Sequence, residues 1–215
     1  MAKKYTIYFH IIILIFLVSI CIWDRIVNIP KFPFNFFYVT QLDLYINIIY
    51  YILITKIDLN NLNPILYYQK FFHFNFSLSF LVTIMFWLML IIDKRSLFKS
   101  GIHIPFILTF SLHGGVFIVN ICEQLFFCQR RNPKYCSIKL YFLITLIYTI
   151  TIKLIYDLFE IKTYPFALKS IKLTICVNFI GFLTCVIGHY IYKFLSKQKK
   201  SLNEKEEELV STEIS

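Results

Sequence analysis

Three polar residues interrupt the otherwise apolar run "FFYVTQLDLYIN": Thr40, Asp43 and Asn47. A helix turns by about 100° per residue, so positions i, i+3 and i+7 share one face, and these three side chains form a single stripe. A second run, "LTFSLHGGVFIVNICEQLFF", contains Thr109, His113, Asn120 and Glu123, of which Thr109, His113 and Asn120 again share a face. A hydroxyl on one helix and an imidazole on another are the parts of a nucleophile and its general base. Asp43 adds a carboxylate able to orient the imidazole or balance its cation, as in hydrolytic triads. Asn47 and Asn120 are candidate donors to an oxyanion, and Glu123 is a further candidate supporting acid. The plainer use of the same groups is interhelical hydrogen bonding, which a lone His or Asn in a bundle commonly serves.

These residues lie in a chain built for lipid. Of its 215 residues, 58% are hydrophobic and 19% aromatic, against 16% charged, with 24 Phe and 15 Tyr. A soluble domain of this length could not bury that much apolar surface, and the apolar runs are unbroken instead of alternating with polar faces. The expected fold is an all-α, polytopic membrane bundle with six transmembrane helices, at about residues 7–23, 37–57, 71–92, 104–127, 140–159 and 173–195. Pro30, Pro33, Pro64, Pro133 and Pro165 fall in the connections, where a missing N–H disturbs no helix, and Pro105 opens the fourth span. Residues 1–195 form the membrane domain, and the charged segment 196–215 is expected to be a disordered cytosolic tail.

The net charge of +10 resides in those connections. It reads as topological charge and attraction to anionic headgroups, so membrane lipids are the expected partners and nucleic acid is not. Lys and Arg are more numerous on the side that holds both termini, which places the termini in the cytosol. The basic N-terminus and the apolar run after it resemble a signal peptide, but the run continues to Trp23 without a small-residue cleavage site and reads as an uncleaved span. Cys21, Cys122, Cys176 and Cys185 suit span interiors as small apolar fillers. Cys128 and Cys136 sit among basic loop residues, favouring a reducing side.

Ionisable residues at membrane depth are functional candidates by default. Lys153 and Asp157, four apart, can neutralise each other on one helix face. Asn75 and Asn178 suit interhelical hydrogen bonds, while His10, His73, His103 and His189 fall near span ends, where an amphipathic ring suits the interface. His113 alone is placed deep, so no paired haem ligand is found, and neither a metal nor a cofactor is expected. Three readings are open: an enzyme using Thr40 and His113; a non-enzymatic channel or transporter with Asp43, Glu123 and Lys153 along a polar path; or a lipid-binding membrane protein.

Four patches, in order, resemble one known family, that of the androgen-induced membrane protein and the androgen-dependent regulator of tissue factor pathway inhibitor. They are "FFYVTQLD" with Thr40 and Asp43, "FWLMLIID" with Phe86, Trp87 and Asp93, the run with His113 ten residues before Glu123, and "TYPF" at Tyr164–Phe166 followed by Asn178 and Phe179. The resemblance implies a six-span hydrolase of the endomembrane system or plasma membrane with cytosolic termini. Its implied substrate is a lipid ester, a fatty acid ester of a hydroxy fatty acid, split by a Thr nucleophile at Thr40 and a His base at His113. The chain departs from the family pattern at Thr109 and Phe110, where members carry Asn and a second His, and in a shorter connection between the second and third spans. These differences bear on which ester is preferred.

Overall fold

The computed structural model describes residues 2–28, 38–60, 62, 66–92, 105–127, 137–159 and 171–213. They form six long helices: α1 (Ala2–Asn28), α2 (Val39–Leu59), α3 (Leu66–Ile92), α4 (residues 106–127), α5 (Ile138–Phe159) and α6 (Ile171–Glu213). Among the described residues there is no strand. In hydrocarbon every backbone N–H and C=O needs an internal partner, and the helix supplies one within each segment. Ser and Thr side chains obey the same rule: Thr55, Ser77, Thr83, Thr145, Thr184 and Ser196 each donate to the carbonyl four residues back.

Five of the helices are long and apolar enough to cross a membrane, over Lys4–Val27, Tyr68–Leu88, Phe106–Phe126, Ile138–Leu158 and Thr174–Gln198. The sixth expected span, α2, is not among them, because Thr40, Gln41, Asp43 and Asn47 dilute its apolar character. Its position explains why such a helix is tolerated. α2 lies inside the bundle, between α1 and α3, with Gln41, Asp43, Leu44, Asn47, Tyr50 and Tyr51 all buried. Leu17 and Ile20 of α1, Leu44 and Ile54 of α2, Phe72 and Phe76 of α3, Leu112 and Val116 of α4 and Tyr192 of α6 close one core around it. Outward, Ile12, Ile15 and Ile26 of α1 and Leu143, Ile150 and Leu154 of α5 are exposed, the surface expected to face acyl chains.

α5 sits at the periphery against α6, tied by a short hydrogen bond from the Thr149 hydroxyl to the Asn178 carboxamide oxygen. Its Lys153 and Asp157 pair with each other as expected from their spacing, both about half exposed. α6 does not end where its apolar run does. It continues through Glu213, whereas composition alone predicts a disordered tail after residue 195. The segment "SLNEKEEELV" consists largely of strong helix formers, so once α6 enters it the helix propagates without a new nucleus.

Helices α3 and α6 approach closely at Gly188. A Cβ there would stand 3.1 Å from Phe80 Cδ1 and 3.2 Å from the backbone Cα of Ser77, whereas one at Gly181 would stand 3.8 Å from Leu81 Cδ1. Alanine in place of glycine adds helix propensity but needs room for a methyl group. Gly188→Ala is therefore expected to destabilise the detergent-solubilised protein by about 1–3 kcal/mol. Gly181→Ala is expected to leave its thermal melting unchanged or slightly raised, and equal behaviour of the two variants would contradict the close approach.

Candidate functional site

α2 begins at Val39, with Tyr38 in an extended conformation as its N-cap (φ −69°, ψ 134°). Thr40 is thus the second helical residue, and its hydroxyl lies at the positive end of the helix dipole. The partner comes from α4, which is not a uniform α-helix. Phe106–Phe110 and Val116–Cys122 are α-helical, while Ser111–Gly115 and Glu123–Phe127 are π-helical turns. A π turn inserts one extra residue and shifts every later side chain around the axis, a device often found at functional sites. His113 stands at the centre of the first π turn, and Glu123 opens the second.

Across this junction Thr40 Oγ1 lies 3.4 Å from His113 Nδ1. That is a long hydrogen bond, of the kind that tightens when a substrate is bound. Both side chains are only partly buried, so the pair is reachable. Among the described residues the imidazole is held by a ring and not by an acid: Phe86 of α3 stacks on it at 3.5 Å between centroids and 4° between planes. Among the described residues Thr40 is its one hydrogen-bond partner. Gly114 and Gly115 admit no backbone unusually close. A Cβ at either would meet only side chains and its own helix at ordinary distances, 3.6 Å or more.

Asp43 and the two asparagines sit one to two turns from this pair and form a separate cluster. Asp43 Oδ1 accepts from Ser79 Oγ at 2.7 Å and from Asn47 Nδ2 at 3.0 Å. Asn47 Oδ1 accepts from Asn75 Nδ2 at 2.8 Å and from Asn120 Nδ2 at 3.0 Å, and Asn120 Nδ2 also reaches Ser79 Oγ at 2.9 Å. The cluster joins α2, α3 and α4. Asp43 makes its bonds here and not to His113, and the carboxamides of Asn47 and Asn120 are committed to one another and to Ser79.

Glu123 belongs to a third group. Its Oε2 lies 2.9 Å from His10 Nε2 and its Oε1 3.5 Å from the Tyr50 hydroxyl, while His10 Nδ1 lies 2.6 Å from Asp58 Oδ2. With a carboxyl group on each ring nitrogen, His10 bridges α1, α2 and α4. His10, His73 and His189, near span ends, have their rings packed inside the protein, at most 2% exposed. His73 stacks on Tyr192 at 4.4 Å and lies 4.5 Å from His189. Depth could have revealed both groupings. In consecutive antiparallel helices the start of α1 meets the ends of α2 and α4, and the start of α3 meets the end of α6. Among the described residues no three His, Cys, Asp or Glu side chains are arranged to hold a metal. His103, Asp93, Cys128, Cys136 and the "TYPF" patch lie outside the described residues.

Compared with known proteins, residues 5–200 match the FAR-17a/AIG1-like protein family, a range that includes Thr40, His113 and all three clusters. No curated protein and no solved structure matches the chain.

Removing the imidazole between buried Glu123 and half-buried Asp58 leaves both carboxyl groups without that partner, whereas removing it together with Glu123 leaves less unpaired. His10→Ala is expected to destabilise the folded protein by about 3–5 kcal/mol. His10→Ala combined with Glu123→Ala should cost clearly less than the sum of the two single changes, as measured by thermal melting in a double-mutant cycle. Additive losses would mean that the three groups do not act as one unit.

Proposed function

The chain belongs to the FAR-17a/AIG1-like family, and from that premise we propose that it is an intramembrane esterase. Its substrates are fatty acid esters of hydroxy fatty acids, cleaved by Thr40 as nucleophile and His113 as general base. The observation that carries this reading is the Thr40–His113 contact of 3.4 Å, a hydroxyl and an imidazole brought together from helices 73 residues apart. In this reading all six helices span the membrane, with both termini in the cytosol.

The chemistry derives from the pair. His113 Nδ1 accepts the Thr40 proton as Oγ1 attacks the ester carbonyl carbon, forming a C–O bond and moving the carbonyl electron pair onto oxygen. The Thr40 backbone N–H, in the first turn of α2, has no intrahelical acceptor and lies at the positive helix end, so it is available to that oxyanion. Collapse of the intermediate breaks the ester C–O bond, and the His113 imidazolium returns its proton to the departing hydroxy acid. Water, deprotonated by the same imidazole, then attacks the acyl-threonine carbonyl; the acyl C–Oγ1 bond breaks, the imidazolium returns its proton to Thr40 Oγ1, and the fatty acid leaves. Phe86 takes the place of an orienting acid by fixing the plane of the imidazole ring. Beside it, Trp87 lies 6.4 Å from Phe110, and Phe110 stacks at 6.2 Å on Phe106, which is exposed on the lipid-facing side. This aromatic row supports entry of an acyl chain directly from the bilayer.

The test is hydrolysis of such an ester by purified protein, or by membranes at matched expression. Thr40→Ala and His113→Ala are each expected to lower kcat/KM by on the order of 10³-fold, and together by no more than either alone, because the two act as one unit. Phe86→Leu should lower kcat by about tenfold with little change in KM, since the ring is loosened but its proton chemistry retained. Activity that survives both Thr40→Ala and His113→Ala would remove the threonine assignment.

A further inference from the structure

The buried cluster around Asp43 leaves some of its oxygen atoms without a donor. Asp43 is 1% exposed, and its neighbours Asn47, Asn75 and Asn120 are 0% exposed. The partners of the carboxylate are neutral: Ser79 and Asn47, both bonding Oδ1. Its other oxygen receives no donor among the described residues. Two further oxygens are in the same condition. Asn75 Oδ1 and Asn120 Oδ1 are fully buried acceptors without a hydrogen-bond partner, although the NH₂ ends of both carboxamides are anchored in the cluster at 2.8–3.0 Å. Buried polar atoms without partners are rare, and each requires an explanation.

A carboxylate surrounded by neutral groups in a bundle at membrane depth needs a compensating positive charge. No Lys, Arg or His among the described residues pairs with Asp43. Water supplies donors to the orphaned oxygens but leaves the charge uncompensated. A proton on Asp43 cancels the charge but supplies only one donor, which serves one orphaned oxygen at most. A divalent ion would leave net positive charge in the interior, and such ions usually have more than one carboxylate. A small monovalent cation does both: it neutralises the single negative charge and takes oxygen ligands where oxygens stand unpaired. We propose that Asp43, Asn75 and Asn120, with Ser79 holding the carboxylate in place, form a site for a monovalent cation of sodium size between α2, α3 and α4. The site is independent of the esterase reading and would exist in a protein with no hydrolytic activity.

A ligand that binds only the folded state raises the melting temperature in a saturable way. The experiment measures the melting of full-length protein in detergent while NaCl replaces N-methyl-D-glucamine chloride at constant ionic strength and pH. The expected result is a saturable rise on the order of 5 °C with sodium and none with the bulky cation. Asp43→Asn, which keeps the shape but removes the charge, should melt at the same temperature in both salts. Melting of the wild type that is indifferent to cation identity overturns the proposal, leaving a proton or water to complete the cluster. A sodium response retained by Asp43→Asn overturns it equally. Should that variant not fold, sodium-23 line broadening by the wild-type protein, reversed by excess lithium but not by N-methyl-D-glucamine, decides the question, and absence of broadening counts against the site.

Discussion

The architecture depends on one constraint: polar atoms at membrane depth must find partners within the protein. Asp43, Asn47, Asn75, Ser79 and Asn120 supply partners to one another for most of their polar atoms, and in doing so they fix three helices in register. Exposure of any of these side chains to acyl chains costs several kcal/mol, so α2 can only sit with its stripe turned inward. That accounts for the way α2 buries its polar face while Ile49 and Ile52 on another face stay exposed. The apolar contacts around it, from Leu17 to Tyr192, are adaptable by comparison, because hydrophobic burial does not specify direction.

The same network positions the reactive pair without touching it. Thr40 lies three residues before Asp43 and His113 lies seven before Asn120, so both project from turns adjoining the anchored ones. With α2 and α4 joined through Asn47 and Asn120 at 3.0 Å, the separation of Thr40 and His113 is set by helix geometry over one or two turns. The third helix of the network, α3, carries Ser79 and, seven residues on, Phe86, which stacks on His113. One polar layer thereby locates Thr40, His113 and the ring stacked on the imidazole.

Much of this is legible in the amino-acid sequence. The helical class and the inward stripe of α2 derive from composition and period, and the pairing of a hydroxyl with an imidazole from residue type and the family resemblance. Asn75 and Asn178 serve as interhelical hydrogen bonders, as their residue type and placement suggest. Side-chain partnership is harder to read, because a helical wheel gives a face but not the neighbour opposite. Asp43 shares a stripe with Thr40, yet its partners are Ser79 and Asn47, not His113. The two π turns of α4 are invisible to a period of 3.6, and each rotates the side chains after it. The wheel that places Thr109, His113 and Asn120 together therefore does not describe the helix that forms. His10 reads as interfacial because it lies near a span end. Only the combined depths of His10, Asp58 and Glu123 along antiparallel helices indicate that it lies between two carboxylates.

The absence of a carboxylate from His113, among the described residues, fits a site that opens toward lipid. In aqueous hydrolases an acid behind the imidazole holds the tautomer and balances the cation formed in the transition state. In an apolar surround a permanent negative charge would itself need compensation, and in the proposed reaction an unpaired carboxylate there would oppose entry of the carboxylate-bearing esters. An aromatic ring stacked on the imidazole fixes its plane without introducing charge. In that proposed reaction a cation on His113 would have the oxyanion of the same step as its nearest counter-charge, so the two charges would appear and vanish together. A neutral resting pair of Thr40 and His113 is therefore the arrangement least costly to keep at this depth. The ionisable groups Asp43, Glu123, His10 and Asp58 are gathered in clusters that do not share its hydrogen bonds.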